Sequence, residues 1–382
     1  MKRSLKVIIS LLFICSAAYA QTPIDRSIEL KTQVPAALQT KLLNALDTLL
    51  LHINTNKIDP AEIDLTGRSL SISIFRDLKG VESNEKLKDQ HYYKPQLTNL
   101  YSLNNSQYII SIAYVNATSP ANHLRLIFNF IATLDSNRVD FSIPAYYISH
   151  NWKVMKVGGI TYHYPDNINI SRAKMFDKKN NDIAIKLGLK PEKFDFYLCN
   201  NYQEILHMLG YEYDSESAGV VADGYGVDAQ TIFSIMHNED FSHDTFHYYS
   251  GKFRKNARNF AADEGVAYSW GNAYYTDEQG EIFTSKQLVP LLKQYLRQYP
   301  DASLLGLFNK NPLILPKQTK VRSLISSIIC DDIERKRGVA GIKELLNCGK
   351  GDDNFFRVVN ELTGIDILNF DERVAKLIEN YK

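Results

Sequence analysis

Two histidines sit four residues apart in Ser242-His243-Asp244-Thr245-Phe246-His247-Tyr248-Tyr249, with an acid directly after the first. On a helix, residues i and i+4 stand one above the other on the same face. Two imidazoles placed this way can hold one metal ion from one side, and a neighbouring carboxylate can take a proton from water. A catalytic metal site needs a third protein ligand and an open position. Glu264, in Ala262-Asp263-Glu264-Gly265-Val266-Ala267-Tyr268, is the best candidate. It follows His247 by 17 residues, enough chain to finish one helix, turn and start an antiparallel neighbour. Ala261, Ala267 and Gly271 share its face at helical spacing, and small residues let two helices approach closely. Tyr268, one turn on, falls beside the same site, where a phenol can orient a ligand or stabilise an oxyanion.

The known device of this type is His-Glu-x-x-His, in which the histidines bind zinc and the Glu is the general base. Here Asp244 occupies the base position, shorter by one methylene, about 1.5 Å. Blander readings stand beside this one. Paired histidines also arise by chance. Glu239 and Asp240 read as acids favoured by the dipole at a helix start, or as assistants to the site. His237 reads as a structural residue or a further ligand.

The elements that must position these groups follow from periodicity. Leu38, Leu42, Leu43, Leu46, Leu49 and Leu50 predict an amphipathic helix over Pro35 to Leu51. Ser69 to Ile74, Tyr108 to Val115, Leu124 to Leu134, Val139 to Ser149 and Met155 to Tyr164 read as strands. One helix followed by strands predicts a small α+β N-terminal domain over residues 21–165, without a catalytic constellation. From Ser171 the pattern changes. A long helix to Leu187, a strand over Phe194 to Cys199 and a helix over Tyr202 to Leu209 ended by Gly210 come first. Strands over Val220 to Ala222 and Thr231 to Met236 flank the turn residues Asp223 to Gly226. The motif helix runs from Asn238 to a C′ residue at Gly251, and a second helix from Ala261 to Tyr274. Several helices follow from Ser285. Gly341 to Lys350 has the wrong spacing for a phosphate loop.

The start of the chain carries Met1-Lys2-Arg3, an apolar run from Val7 to Ile14, and Ala18-Tyr19-Ala20. This is the pattern of a secretory signal peptide over residues 1–20. A lipid anchor at Cys15 fits less well, since Ile14 is bulky. The expectation is an exported protein, periplasmic or extracellular, with no integral membrane segment after cleavage. Lys+Arg 44 against Asp+Glu 43 gives no electrostatic case for nucleic acid. Cys199, Cys330 and Cys348 leave open one disulfide, with Cys330 and Cys348 nearest in sequence, or three buried thiols.

The order strand, His-Asp-x-x-His helix, Glu-Gly-x-Ala helix resembles the gluzincin metallopeptidases, in particular the bacterial peptidase MA-like proteins. The resemblance covers roughly Ser171 to Lys382, including the closing helical part around Ser323 to Ser326 and Phe355 to Leu368. It implies a gluzincin-like, mostly helical domain with a small sheet over residues 166–382. The N-terminal domain resembles cystatin-like cones in element order. The resemblance further implies that His243, His247 and Glu264 bind zinc, that Asp244 stands as general base, and that Thr231 to Met236 runs along the active-site edge and pairs with bound peptide. The implied function is secreted zinc-dependent hydrolysis of peptide or protein substrates by metal-activated water. The rival is an inactive secreted binding protein on a peptidase scaffold. Two departures stand out: Asp replaces Glu, and the His247–Glu264 interval is shorter than the family's.

Overall fold

The leucine spacing near the start of the chain produces the expected helix. In the computed structural model, α1 (Ala36–Asn54) buries Leu42, Leu43, Leu46, Leu49, Leu50 and Ile53. The structure describes residues 22–27, 30–116, 123–136, 138–220, 222, 224–273 and 282–381. Residues 1–20, the expected signal peptide with Cys15, lie outside these. Two compact units emerge, one of residues 1–142 with 213–215, the other of residues 143–212 with 216–382.

In the first unit, Ser69 to Ile74 is not a strand but part of α2 (Arg68–Asp77). Its Ser-Leu-Ser-Ile pattern fits period 2, yet Leu70, Ile74 and Phe75 are buried at helical spacing. Four antiparallel strands follow in the order β1 (Lys94–Ser102), β2 (Gln107–Asn116), β3 (His123–Asp135), β4 (Arg138–Ser142). β1 gave little signal, because Pro95, Thr98 and Asn99 interrupt its apolar alternation and its register shifts at Leu97/Asn99. Phe75 packs its ring 6.2 Å from Phe128 and 5.4 Å from Phe130, so α2 lies against the sheet face. The strand expected over Val139 to Ser149 stops at Ser142, and Pro144 leads into α3 (Ala145–Ile148).

In the second unit, β5 (Lys153–Val157) and β6 (Ile160–Tyr164) form a hairpin. β6 then pairs in parallel with a strand of this unit, so these residues do not belong to the first sheet as the sequence suggested. The hairpin turns at Gly158, φ +58, where a Cβ would lie 2.1 Å from Asp177 Oδ2. Next come α4 (Ile170–Leu187), capped by Asn169 and not Ser171, then β7 (Phe194–Cys199) and α5 (Tyr202–Leu209). Gly210 ends α5 in the left-handed region, φ +100. β8 (Tyr211–Asp214), whose residues 213 and 214 belong to the first unit, pairs there with β3. β9 (Gly224–Asp228) and β10 (Thr231–Ile235) complete a mixed sheet of order β5-β6-β7-β10-β9. The residues read as a turn, Gly224 to Gly226, are therefore strand. β10 lies between β7 and β9, so it is not the edge strand that the resemblance implied.

The rest of the unit is helical: α6 (Ser242–Phe253), α7 (Phe260–Trp270), α8 (Ser285–Gln298), α9 (Leu304–Lys310), α10 (Val321–Leu346), α11 (Asp352–Thr363) and α12 (Phe370–Glu379). With helices and two small sheets, the chain is of mixed α+β class. α6 starts four residues later than its sequence predicted and passes through Gly251 to Phe253. The second motif helix ends at Trp270, short of Tyr274. α10 is the core post, burying Leu324, Ile325, Ile328, Ile329 and Ile333. α7 packs on it at Gly265, where a Cβ would meet Ser326 Cβ at 2.7 Å. Cys199, Cys330 and Cys348 are all buried and free. Among the described residues no helix is long and apolar enough to cross a membrane.

Candidate metal centre

α6 carries His243 and His247 on one face, and their rings meet edge to face with centroids 4.8 Å apart. α7 brings Glu264 to them, so His243, His247 and Glu264 form one cluster. Gly271 makes room where α7 ends against the start of α6, since a Cβ there would lie 3.0 Å from the Ser242 backbone. The small face around Glu264 thus serves the predicted approach, while Gly265 serves the contact with α10.

The tautomers follow from the outer partners. His243 Nδ1 lies 2.9 Å from the Asn272 carbonyl oxygen, which can only accept, so Nδ1 carries the hydrogen. His247 Nδ1 lies 2.8 Å from Asp263 Oδ2, an ionised carboxylate, and likewise donates. Both Nε2 atoms then point inward and face each other at 3.1 Å. In the metal-free chain near neutral pH the His247 Nε2 keeps a hydrogen that His243 Nε2 or Glu264 can accept, and that hydrogen is what a cation would replace. Glu264 adds Oε2 at 3.6 Å from His243 Nε2 and Oε1 at 3.3 Å from His247 Nε2. Ligands on a tetrahedral zinc at about 2.0–2.1 Å stand roughly 3.3 Å from one another. The three separations bracket that value, so this donor set fits a small divalent cation. No known protein family matches the chain, and no curated protein matches it. The site therefore stands on its own chemistry.

Charge around the cluster is arranged in layers. Burial alone would lower the His247 pKa, but hydrogen bonds to Asp263 and Glu264 outweigh it and push it up to about 9. Burial would raise the Glu264 carboxyl, yet the two imidazoles hold it well below the usual range. Asp263 is also lowered: burial opposes this, but the His247 hydrogen bond and charge prevail. Ser250 donates its hydroxyl to Asp263 Oδ1. Arg258 places Nε 2.6 Å from Asp263 and Nη2 2.7 Å from Glu264. Its Nη2 also sits 3.4 Å from His247 Nε2, a contact a cation held by all three ligands must displace.

A second network fixes His243. Lys179 Nζ pairs with the buried Asp240 at 2.6 Å and donates to the Gly271 carbonyl at 3.0 Å. Asn272 Nδ2 donates to the Asp240 carbonyl at 3.0 Å. This pins the turn after α7 whose carbonyl orients His243. Asp240 is thus a buried ion-pair partner that also accepts the Ser242 amide at 3.2 Å at the start of α6. Glu239 is buried too, accepting from the Asn169 amide at 2.8 Å. His237 is exposed at φ +73 and is outside the cluster.

His243, Asp244, Glu264, Tyr268, Ala273, Gln318 and Lys320 line a cleft of about 210 Å³. Asp244 makes no hydrogen bond or ion pair with the described residues. The Tyr268 hydroxyl accepts the Lys320 amide at 3.0 Å, and burial pushes its pKa up to about 12. Four of the five residues singled out by spacing line this cleft, and His247 adjoins it through the cluster with His243 and Glu264. Sequence reasoning missed Asp263, Arg258 and Asn272. The acid pair Asp263-Glu264 held a signal for the first. Asn272 acts through its carbonyl, which any residue carries.

Proposed function

We propose that this chain is a zinc-dependent peptide hydrolase held by His243, His247 and Glu264. The convergence of two Nε2 atoms and one carboxylate, with both Nδ1 atoms engaged outward, carries the reading, because it is the donor set and spacing of a three-ligand metal site. Two imidazoles and one carboxylate suit zinc. A zinc ion bound there supplies Lewis acidity, bringing the pKa of water to about 7 and polarising a carbonyl.

The protein's own groups do the rest. Asn272 and Asp263 keep both imidazoles in the ligating tautomer. Asp244, unengaged in the cleft, takes a proton from the attacking water and delivers it to the departing amine. Tyr268 stays protonated near neutral pH and donates to the developing oxyanion. The likeness to gluzincins supports the reading through the helix order and the ligand set, with β9 in place of β10 at the sheet edge. The cystatin-like cone, and export directed by residues 1–20, belong to the same proposal.

The test compares wild type, Asp244→Asn and Asp244→Glu on a mixed peptide library, with zinc content measured in each. Asp244→Asn is expected to keep zinc and lose turnover by about 10²–10⁴. Equal cleavage by wild type and Asp244→Asn removes Asp244 as base. Zinc-loaded protein that cleaves nothing moves the assignment to a binding protein on a peptidase scaffold, the reading the Asp for Glu exchange favours. A wild type without zinc ends both the metal and the hydrolase claims.

A further inference from the structure

We infer that the cleft recognises a substrate carboxylate through Lys320, an inference that rests on the hydrolase reading above. Lys320 shares the wall of the 210 Å³ cleft with His243, Asp244, Glu264 and Tyr268. Because Lys320 and His243 line one cleft, a single bound substrate can meet both. The Lys320 ammonium makes no hydrogen bond or ion pair with the described residues. Lys179, Lys186 and Lys252 are each matched by a carboxylate.

The neighbouring groups favour an anion. Lys320 immediately precedes α10, whose first turn holds no acid. The positive end of the helix therefore adds to the ammonium. The Tyr268 hydroxyl accepts from the Lys320 amide behind it and is also bonded by Ser323. Two lining carboxylates, Asp244 and Glu264, against Lys320 and a divalent cation leave one positive charge. That balance suits a carboxylate and disfavours a second cation. The carboxylate has two sources, the C-terminus of a short peptide or an Asp or Glu side chain beside the bond.

The test reads binding, so it does not depend on turnover. Zinc-loaded Asp244→Asn protein is dialysed to equilibrium against a tripeptide pool, once as free acids and once as C-terminal amides. Retained peptides are measured by mass spectrometry. Free acids are expected to be retained about tenfold over amides. The ratio should fall to about one in Lys320→Ala and return in Lys320→Arg. If amides bearing Asp or Glu are retained in a Lys320-dependent way, the carboxylate is a side chain's and the subsite stands. Equal retention of all classes, no retention, or a preference intact in Lys320→Ala overturns it. Zinc content and peptide cleavage of the wild type judge the hydrolase reading separately, so the two failures are distinguishable.

Discussion

Replacing Asp263 with Asn removes a charge and little volume, at a side chain only 1% exposed. The amide can still present its oxygen to His247 Nδ1, so the ligating tautomer survives. The lost charge acts in two opposed directions. A carboxylate behind a ligating histidine raises its basicity, and losing it typically costs about 10–100-fold in metal affinity, roughly 1.4–2.7 kcal/mol. Yet Asp263 and Glu264 together hold the His247 pKa at about 9 in the metal-free chain. At pH 7 a cation must displace that proton across about two pH units, costing roughly 2.7 kcal/mol. Without the Asp263 charge this cost shrinks. The two effects separate with pH. Above pH 9 there is no proton to displace, and the variant should show the full loss. Near pH 6.5 the weakened competition should offset much of it. Zinc affinity measured against a chromophoric chelator from pH 6 to 9.5 gives the wild-type to variant ratio directly. Circular dichroism melts check that both chains are folded. A ratio that is flat with pH, or largest at low pH, refutes the layered-charge account.

Gly265→Ala should cost about 1–3 kcal/mol, since its methyl would meet Ser326 at 2.7 Å and its backbone carbon at 2.9 Å. Urea unfolding reads the loss, and an unchanged midpoint rejects a close α7–α10 contact. In the metal-free chain, the raised His247 pKa contributes stability fully present below its ordinary 6.5 and lost as pH rises through about 9, on the order of 3 kcal/mol. The lowered Asp263 and Glu264 carboxyls describe the same pairing from the acid side, so these contributions are not added. The urea midpoint of metal-free protein should therefore fall between pH 6.5 and 9.5; a flat or rising midpoint contradicts the pairing.

Where one signal dominated, the sequence was read correctly. α5 ends at Gly210 and β7 spans Phe194–Cys199 because a left-handed cap and a short apolar run each have few alternatives. The serine-rich stretch at 69–74 satisfied two periods, and only the burial of Phe75 against β3 decides between them. The strand partners of β6 and β10 were not legible either, since pairing depends on distant chain. At the site, the ligand residues were legible from i, i+4 spacing and a small helix face. Their fixation was not. Asp240 was legible as a helix-start acid, but its partner Lys179, 61 residues away, was not.

All three ligands fall between His243 and Glu264, on two consecutive helices. A cation bound there would span only about 20 residues and would stabilise the chain by binding its folded form. It is a local brace and not a staple between distant parts. α7 is already fastened to α10 at Gly265, and the turn after it to Lys179, by contacts that do not involve the ion. On the proposed reading, release of the cation and global unfolding are separate events. A chelator should then abolish the proposed activity at the rate the ion leaves, and the emptied protein should remain folded and ready to be refilled.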